Sequence, residues 1–269
     1  MPELPEVETT MRGIEPYVCG QTIQRAIVRD HRLRWPVAPE IGAINGRVIQ
    51  TVSRRAKYIL MQLDHGNLIW HLGMSGSMTI QPANTPPQPH EHIEIELASG
   101  KSLKYRDPRR FGALLYCAHN PLQYRLLQSL GPEPLSDDFD VTYLHTQCRN
   151  KTSSIKSVIM DSHIVTGVGN IYACEALFRA GINPARKAGG ISKKRLQKLV
   201  ESIKTTLSTA ISRGGTTLQN FTQADGKPGY FAQSLCVYGV TGACANCGTM
   251  IKKITQNQRS SYFCTKCQT

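Results

Sequence analysis

Long apolar runs are missing from this sequence: nothing approaches the roughly 18 consecutive apolar residues that cross a membrane. The opening Met1-Pro2-Glu3-Leu4-Pro5-Glu6 also lacks the basic-then-apolar order of a secretory leader, so cytosolic residence is the expectation. Acidic side chains are scarce, 19 Asp and Glu against 32 Lys and Arg, for a net charge of +13. Residues 1–130 carry 15 basic and 11 acidic groups, residues 131–269 carry 17 and 8. Such a surface suits the neutralisation of phosphates, although an idle basic surface has the same composition. Nine cysteines are an odd number, which excludes complete internal disulfide pairing. Five of them (Cys19, Cys117, Cys148, Cys174, Cys236) are scattered among apolar stretches and read as small buried hydrophobes in a reducing compartment. No internal repeat is present, and 269 residues suit two compact domains.

Leu4, Val7, Met11 and Ile14 recur at spacings of three, four and three, which predicts a short helix with Pro5 near its first turn and Gly13 near its end. From about Thr22 to Cys117 the pattern is β, with strands over Arg47–Leu63 and Asn67–Met74. Ile93, Ile95 and Leu97 alternate with Glu94 and Glu96, which predicts a β-sandwich or flattened barrel with one solvated face. Residues 81–90, with four prolines, form a loop. Asn120-Pro121 reads as the start of a helix carrying Leu122, Leu126, Leu127 and Leu130. Beyond a linker at 131–140 the periodicity is helical, and Leu196 to Ile211 form a long amphipathic helix with Ser192 as N-cap. Residues 214–230 are polar and Gly-rich, which predicts a mobile loop.

Cys244, Cys247, Cys264 and Cys267 make two C-x-x-C pairs separated by 16 residues. Four thiolates brought to one point match the tetrahedral preference of zinc for sulfur, and the spacing is that of a zinc ribbon. With all four positions filled by sulfur, one zinc ion per chain would be structural rather than hydrolytic. Ile251 to Tyr262 hold enough β-formers for the intervening hairpin.

Removal of Met1 would expose Pro2 as a secondary amine. An α-amino group titrates near pH 7.7–8, so a tenth or more is neutral and nucleophilic at pH 7. Its attack on a sugar C1′ gives a cationic iminium, an electron sink for later eliminations. On its own, the dipeptide reads first as a proline that stiffens a helix start.

Several long motifs stand in order along the whole chain: Pro2-Glu3-Leu4-Pro5-Glu6-Val7-Glu8, Arg54-Arg55-Ala56-Lys57-Tyr58, His71-Leu72-Gly73-Met74-Ser75-Gly76, Asp107-Pro108-Arg109-Arg110-Phe111-Gly112, Gly167-Val168-Gly169-Asn170-Ile171-Tyr172 and Asp225-Gly226-Lys227-Pro228-Gly229-Tyr230, with Arg259-Ser260-Ser261 between the cysteine pairs. On these residues the chain resembles the bacterial formamidopyrimidine-DNA glycosylase family, bifunctional enzymes that remove 8-oxoguanine and ring-opened purines. Leu4 separates it from the related endonuclease VIII branch, where Gly is expected.

The resemblance implies a fold and a chemistry. The fold is α+β: an N-terminal β-sandwich domain with a catalytic helix (1–130), the linker (131–140), a helix-two-turn-helix domain with a lesion-capping loop (141–230) and a zinc ribbon (231–269). DNA lies in a basic cleft between the two halves. The target nucleotide is flipped out of the duplex. Pro2 attacks C1′, Glu3 delivers a proton to the deoxyribose, Lys57 donates a proton during β-elimination, and Arg259 assists δ-elimination. Met74, Arg109 and Phe111 fill the vacated stack. His90 (with His92 a competing candidate), Arg109, Lys151, Lys156 and Asn170 contact DNA. Residues 216–230 close over the damaged base. The neighbourhood of Lys151, Arg-Asn-Lys-Thr, is poorer in lysine than this role suggests. The implied activity is a monomeric base-excision-repair glycosylase and AP lyase acting on double-stranded DNA with oxidised bases or abasic sites, cytoplasmic and nucleoid-associated. An oxidised-pyrimidine glycosylase of the endonuclease VIII type and a non-catalytic binder of damaged DNA are the alternatives. For Glu3 the bland reading is a helix-start charge, for Lys57 a solvated strand charge, and for Phe111 strand core.

Overall fold

The computed structural model describes residues 2–216 and 231–269. The expected lesion loop, from 217 to 230, lies outside the described residues. Among the described residues, 2–128 with 213–216 make one compact unit, and 129–212 with 231–269 make a second.

The first unit starts with helix α1 (Leu4–Val18), which runs past Gly13 because Ile14 and Val18 continue its buried stripe. Strands β1 (Ile23–Val28), β6 (Glu91–Leu97), β7 (Lys101–Arg106) and β5 (Ser77–Pro82) form one antiparallel sheet in that order. Strands β2 (Ile49–Arg55), β3 (Tyr58–Leu63), β4 (Asn67–His71) and β8 (Ala113–Cys117) form the other. Val7, Met11, Ile14 and Val18 of α1 share one core with Ile23, Ile95 and Leu103 of the first sheet and Ile59, Met61 and Trp70 of the second. This is a sandwich whose core includes a helix face.

Three sequence expectations change here. The stretch read as one strand from Arg47 to Leu63 is a hairpin, and its two-residue turn is Ala56-Lys57, so Lys57 sits in a turn rather than on a strand. The face of β6 that carries Glu94 is not solvated. Glu94 is buried, pairs across the ladder with buried Lys104, and holds Arg29. Residues 120–130 form no α-helix but a 3₁₀ turn, Pro121–Gln123, followed by turns in which the Leu127 and Gln128 N–H groups donate to the Tyr124 carbonyl. Of that apolar set only Leu127 is buried, too little apolar burial to sustain a helix.

The second unit holds α2 (Val141–Cys148), α3 (Ile155–Ile159), α4 (Asn170–Arg179) and α5 (Lys193–Ser212). Asp140 caps α2 by accepting the Tyr143 N–H at 2.7 Å, and Ser154 caps α3 by accepting the Ser157 N–H at 3.2 Å. Between α3 and α4 the chain makes two turns, with Gly167 in the left-handed region at φ +77°. Leu144, Ile159, Ala173, Leu177, Leu199 and Ile203 meet in its core. The opposite side of α4 buries Cys174 and Phe178 against Val237, Cys244 and Cys264 of the C-terminal ribbon. That ribbon is the hairpin β9 (Lys252–Gln256) and β10 (Arg259–Phe263). Of the five scattered cysteines, Cys148 and Cys174 are buried while Cys19, Cys117 and Cys236 are half-buried, and all are free thiols. No helix among the described residues is long and apolar enough to cross a membrane.

Candidate functional site

In the first unit Pro2 and Glu3 are buried where the extended chain enters α1. Glu6, one turn in, fixes that entry: its Oε2 accepts the Glu3 N–H at 2.8 Å. Its Oε1 accepts the N–H of Thr216 at 2.8 Å, beyond the end of α5. Gly215 packs so closely there that a Cβ would stand 3.1 Å from Oε1. Glu6 is 2% exposed and therefore joins two chain segments that are 210 residues apart. The sequence reading did not single it out, although a Glu three residues after a helix-start residue is a capping pattern.

The turn bearing Lys57 is drawn to the same helix. Arg54 donates from Nε to Glu8 Oε2 at 2.7 Å and from Nη1 to the Ala56 carbonyl at 2.9 Å. Ala56 adopts φ +55° to make the tight turn. Behind Lys57, His71 ends β4 opposite Tyr58, with ring centroids 4.9 Å apart. His71 Nδ1 accepts the Gly73 N–H at 3.1 Å. Burial, and then the charges of Lys57 and Arg34, pull this imidazole from 6.5 to about 4 against the opposing effect of Asp107. It is therefore neutral at physiological pH. His71 stands in a motif, but local pattern gives it no role, since Tyr58, Lys57, Arg34 and Asp107 meet it only across the fold.

Met74 and Phe111 are 37% and 45% exposed, and the Arg109 guanidinium lies 4.9 Å over the Phe111 ring. Exposure on a loop removes the reading of Phe111 as strand core. His90 stands at the end of the Pro-rich loop with φ +70° and is exposed. His92 is buried with Nε2 2.8 Å from the Asp107 carbonyl, so of the two histidines only His90 faces solvent. The loop before His90 is tied down by Lys104, which donates to the Thr85 carbonyl at 2.5 Å, and by Arg106, which donates to Pro89 at 3.0 Å.

In the second unit Lys151 is exposed after α2, and its carbonyl accepts the Gly189 N–H at 3.0 Å. Lys156 is buried, its ammonium donating to the Ser260 carbonyl at 3.1 Å and to Ser261 Oγ at 2.6 Å. Asn170, the first residue of α4, donates to the same Ser260 carbonyl at 2.9 Å. Its Oδ1 is buried with no hydrogen-bond partner among the described residues. Arg259 is exposed immediately after the turn at Asn257 and Gln258. With Lys156, Ser157, Asp161 and Asn257 it lines a recess of about 280 Å³. Lys156, Asn170 and Arg259 thus come together at the hairpin, whereas Pro2, Glu3 and Lys57 belong to the first unit.

The four cysteine sulfurs Cys244, Cys247, Cys264 and Cys267 lie within 4.8 Å of one another. The Cys244–Cys267 and Cys247–Cys264 sulfur pairs are 3.9 and 3.4 Å apart. A tetrahedron with Zn–S of about 2.3 Å has edges of about 3.8 Å, so the donor set fits one structural zinc with no open position. Buried Glu175 of α4 sets the approach to this site by accepting the N–H groups of Cys236, Val237 and Tyr238, each at 2.9 Å.

Three family models match this chain. They are the formamidopyrimidine-DNA glycosylase N-terminal domain over residues 1–114, the formamidopyrimidine-DNA glycosylase H2TH domain over 130–222, and the zinc finger found in FPG and IleRS over 243–269. The formamidopyrimidine-DNA glycosylase of Idiomarina loihiensis is 54% identical over 269 residues, covering all of both chains. A Lactococcus lactis FPG mutant bound to a Fapy-dG containing DNA superposes with a TM-score of 0.93 at 32% identity, covering 99% of each chain. The complex of Lactococcus lactis Fpg with an abasic site containing DNA gives 0.92 at 33% identity, again over 99% of each chain.

Proposed function

The chain belongs to the formamidopyrimidine-DNA glycosylase family, and from that membership we propose a base-excision-repair glycosylase and AP lyase whose nucleophile is Pro2. The observation that carries the assignment is the seat of Pro2-Glu3 at the head of α1, where Glu6 holds the Glu3 amide and a carboxyl group sits beside the nucleophile.

With Met1 removed, the Pro2 amine attacks C1′ of a nucleotide flipped from double-stranded DNA, and the bond to the oxidised purine breaks. Glu3 protonates the sugar oxygen as the ring opens, leaving a cationic iminium between Pro2 and C1′. Loss of a C2′ proton then expels the 3′ phosphate, with Lys57 as proton donor. A second elimination, assisted by Arg259, expels the 5′ phosphate. Met74, Arg109 and Phe111 occupy the vacated stack, which their exposure supports. His90, Arg109 and Lys151 contact the DNA, and Lys156 and Asn170 serve the same function at the hairpin. Zinc holds the ribbon that presents Arg259. The proposed division is 1–130, 131–140, 141–230 with residues 216–230 as lesion cap, and 231–269. The protein acts as a monomer in the bacterial cytoplasm, on the nucleoid.

Borohydride reduction during turnover of 8-oxoguanine or abasic duplex DNA tests this reading. A covalent protein–DNA adduct is expected, and it should vanish when Pro2 is replaced by Gly with an added N-terminal residue. Mass spectrometry of the N-terminus verifies loss of Met1. No adduct from the unmodified, Met1-free protein would overturn the assignment.

A further inference from the structure

Asp107 is completely buried beneath the exposed loops of Met74, Arg109 and Phe111, and the mechanism above gives it no task. Its Oδ1 accepts from Ser75 Oγ at 2.6 Å, and Ser75 follows Met74. The same Ser75 Oγ accepts the Arg109 N–H at 3.1 Å. Oδ2 accepts the N–H of Gly112, the neighbour of Phe111, at 2.8 Å, and the Tyr105 hydroxyl at 3.1 Å. Its backbone holds His90 as well, since the Asp107 N–H donates to the His90 carbonyl at 3.0 Å. The carboxylate is therefore bonded to the neighbours of Met74 and Phe111, and it reaches the Arg109 amide through Ser75.

The glycines around it show how closely the two loops meet. A Cβ on Gly112 would lie 1.7 Å from the Tyr105 hydroxyl, and one on Gly76 would lie 2.6 Å from it. A Cβ on Gly73 would lie 2.4 Å from the Gly112 nitrogen. Burial first, and then Asp107 itself, raise the Tyr105 hydroxyl well above its ordinary value, so it remains a donor. Ser75 is buried, and its oxygen both donates to Asp107 and accepts from Arg109.

We propose that Asp107 is a positioning residue that, through Ser75, Tyr105 and the Gly112 amide, locks Met74, Arg109 and Phe111 into one rigid insertion tool. The proposal rests on the reading that these three residues fill the space left by the flipped nucleotide. Three exposed side chains on two independent loops would each lose conformational freedom on entering the duplex, and fixing their mutual spacing beforehand lowers that cost. A carboxylate suits the task because it accepts several N–H and O–H bonds at once and is strongest when buried.

The test is single-turnover release of 8-oxoguanine opposite cytosine, set beside strand cleavage at a pre-formed abasic site, where no base has to be unstacked. Asp107→Asn should slow base release about 10- to 100-fold, the scale of a small misplacement of a positioning group. Abasic-site cleavage should change by less than about threefold. Ser75→Ala, which removes only one link, should show the same split at smaller amplitude, and it decides the matter if Asp107→Asn does not fold. In a Met74→Ala/Arg109→Ala/Phe111→Ala background Asp107→Asn should add less than about twofold, because the side chains it positions are gone. A 2-aminopurine beside the lesion should brighten more slowly on mixing with Asp107→Asn than with the wild type. Additive effects in that cycle, or equal slowing of both reactions, would overturn the positioning role while leaving the Pro2 chemistry standing. Failure of the wild type to form the borohydride adduct would instead overturn the Pro2 reading, and this proposal with it.

Discussion

His71 makes the first unit's stability depend on pH in a way that can be calculated. The imidazole sits near 4 in the folded chain and near 6.5 when free. At 1.36 kcal/mol per pH unit, this gap sets a ceiling of about 3 kcal/mol. Because His71 is only half-buried, solvent screening reduces the expected effect to about 1–2 kcal/mol. The folded value is depressed, so the unfolded chain takes up the proton first. The contribution is complete above pH 6.5 and is lost as pH falls from 6.5 to about 4. Both tryptophans, Trp35 and Trp70, belong to the first unit, so urea unfolding followed by tryptophan fluorescence reports on that unit alone. With an m-value of about 2 kcal/mol/M, the His71 contribution to the drop in midpoint between pH 7.5 and 4.5 is about 0.5–1 M. His71→Asn, which keeps an acceptor for the Gly73 N–H, should lose that part of the pH dependence and retain the rest. Parallel curves for the two proteins across this range would refute the reasoning.

Four further outcomes follow from the packing. Removing zinc with a strong chelator should lower affinity for duplex DNA at least about tenfold by releasing the hairpin that bears Arg259, while the tryptophan-reported midpoint stays within about 0.3 M. Glu175→Ala leaves three backbone N–H groups without their acceptor and should destabilise the second unit by about 3–5 kcal/mol, with Glu175→Gln milder, as read by thermal melting of the helical circular dichroism. Gly112→Ala must displace Tyr105 and should cost about 2–4 kcal/mol in urea unfolding. Gly100→Ala, at φ +77° with open space around it, should cost only about 1 kcal/mol.

The alternation of Ile93, Ile95 and Leu97 already located a sandwich strand, and the C-x-x-C pairs located the metal site. What local pattern did not carry were the partnerships across the fold. Glu94 reads as solvated until Lys104 and Arg29 are found against it. Gly13 reads as a helix end until Ile14 and Val18 are seen to bury beyond it. Lys57 reads as a strand residue because Ala56 gives no turn signal, and its left-handed backbone is held by the Arg54 bond to the Ala56 carbonyl. The exposed residues Met74, Arg109 and Phe111 of the first unit and Arg259 of the second were legible as motif members, and His90 through the family resemblance. Glu6, His71 and Asp107 were not assigned roles, because each acts through a bond to a distant or buried backbone group.

The doubly bonded Ser260 carbonyl has a consequence for how the ribbon tolerates changes in length. Lys156 and Asn170 hold β10 at Ser260, and the metal holds it again at Cys264. Side chains alternate along a strand, so one residue inserted between these anchors would turn every later side chain to the other face. Either the clamp or the metal would then have to let go. An insertion at the Asn257–Gln258 turn disturbs neither anchor, because it lies outside the interval they define. The ribbon thus behaves as a gauge of fixed length from Ser260 to Cys264, with a free end on which the hairpin tip can be lengthened or remodelled.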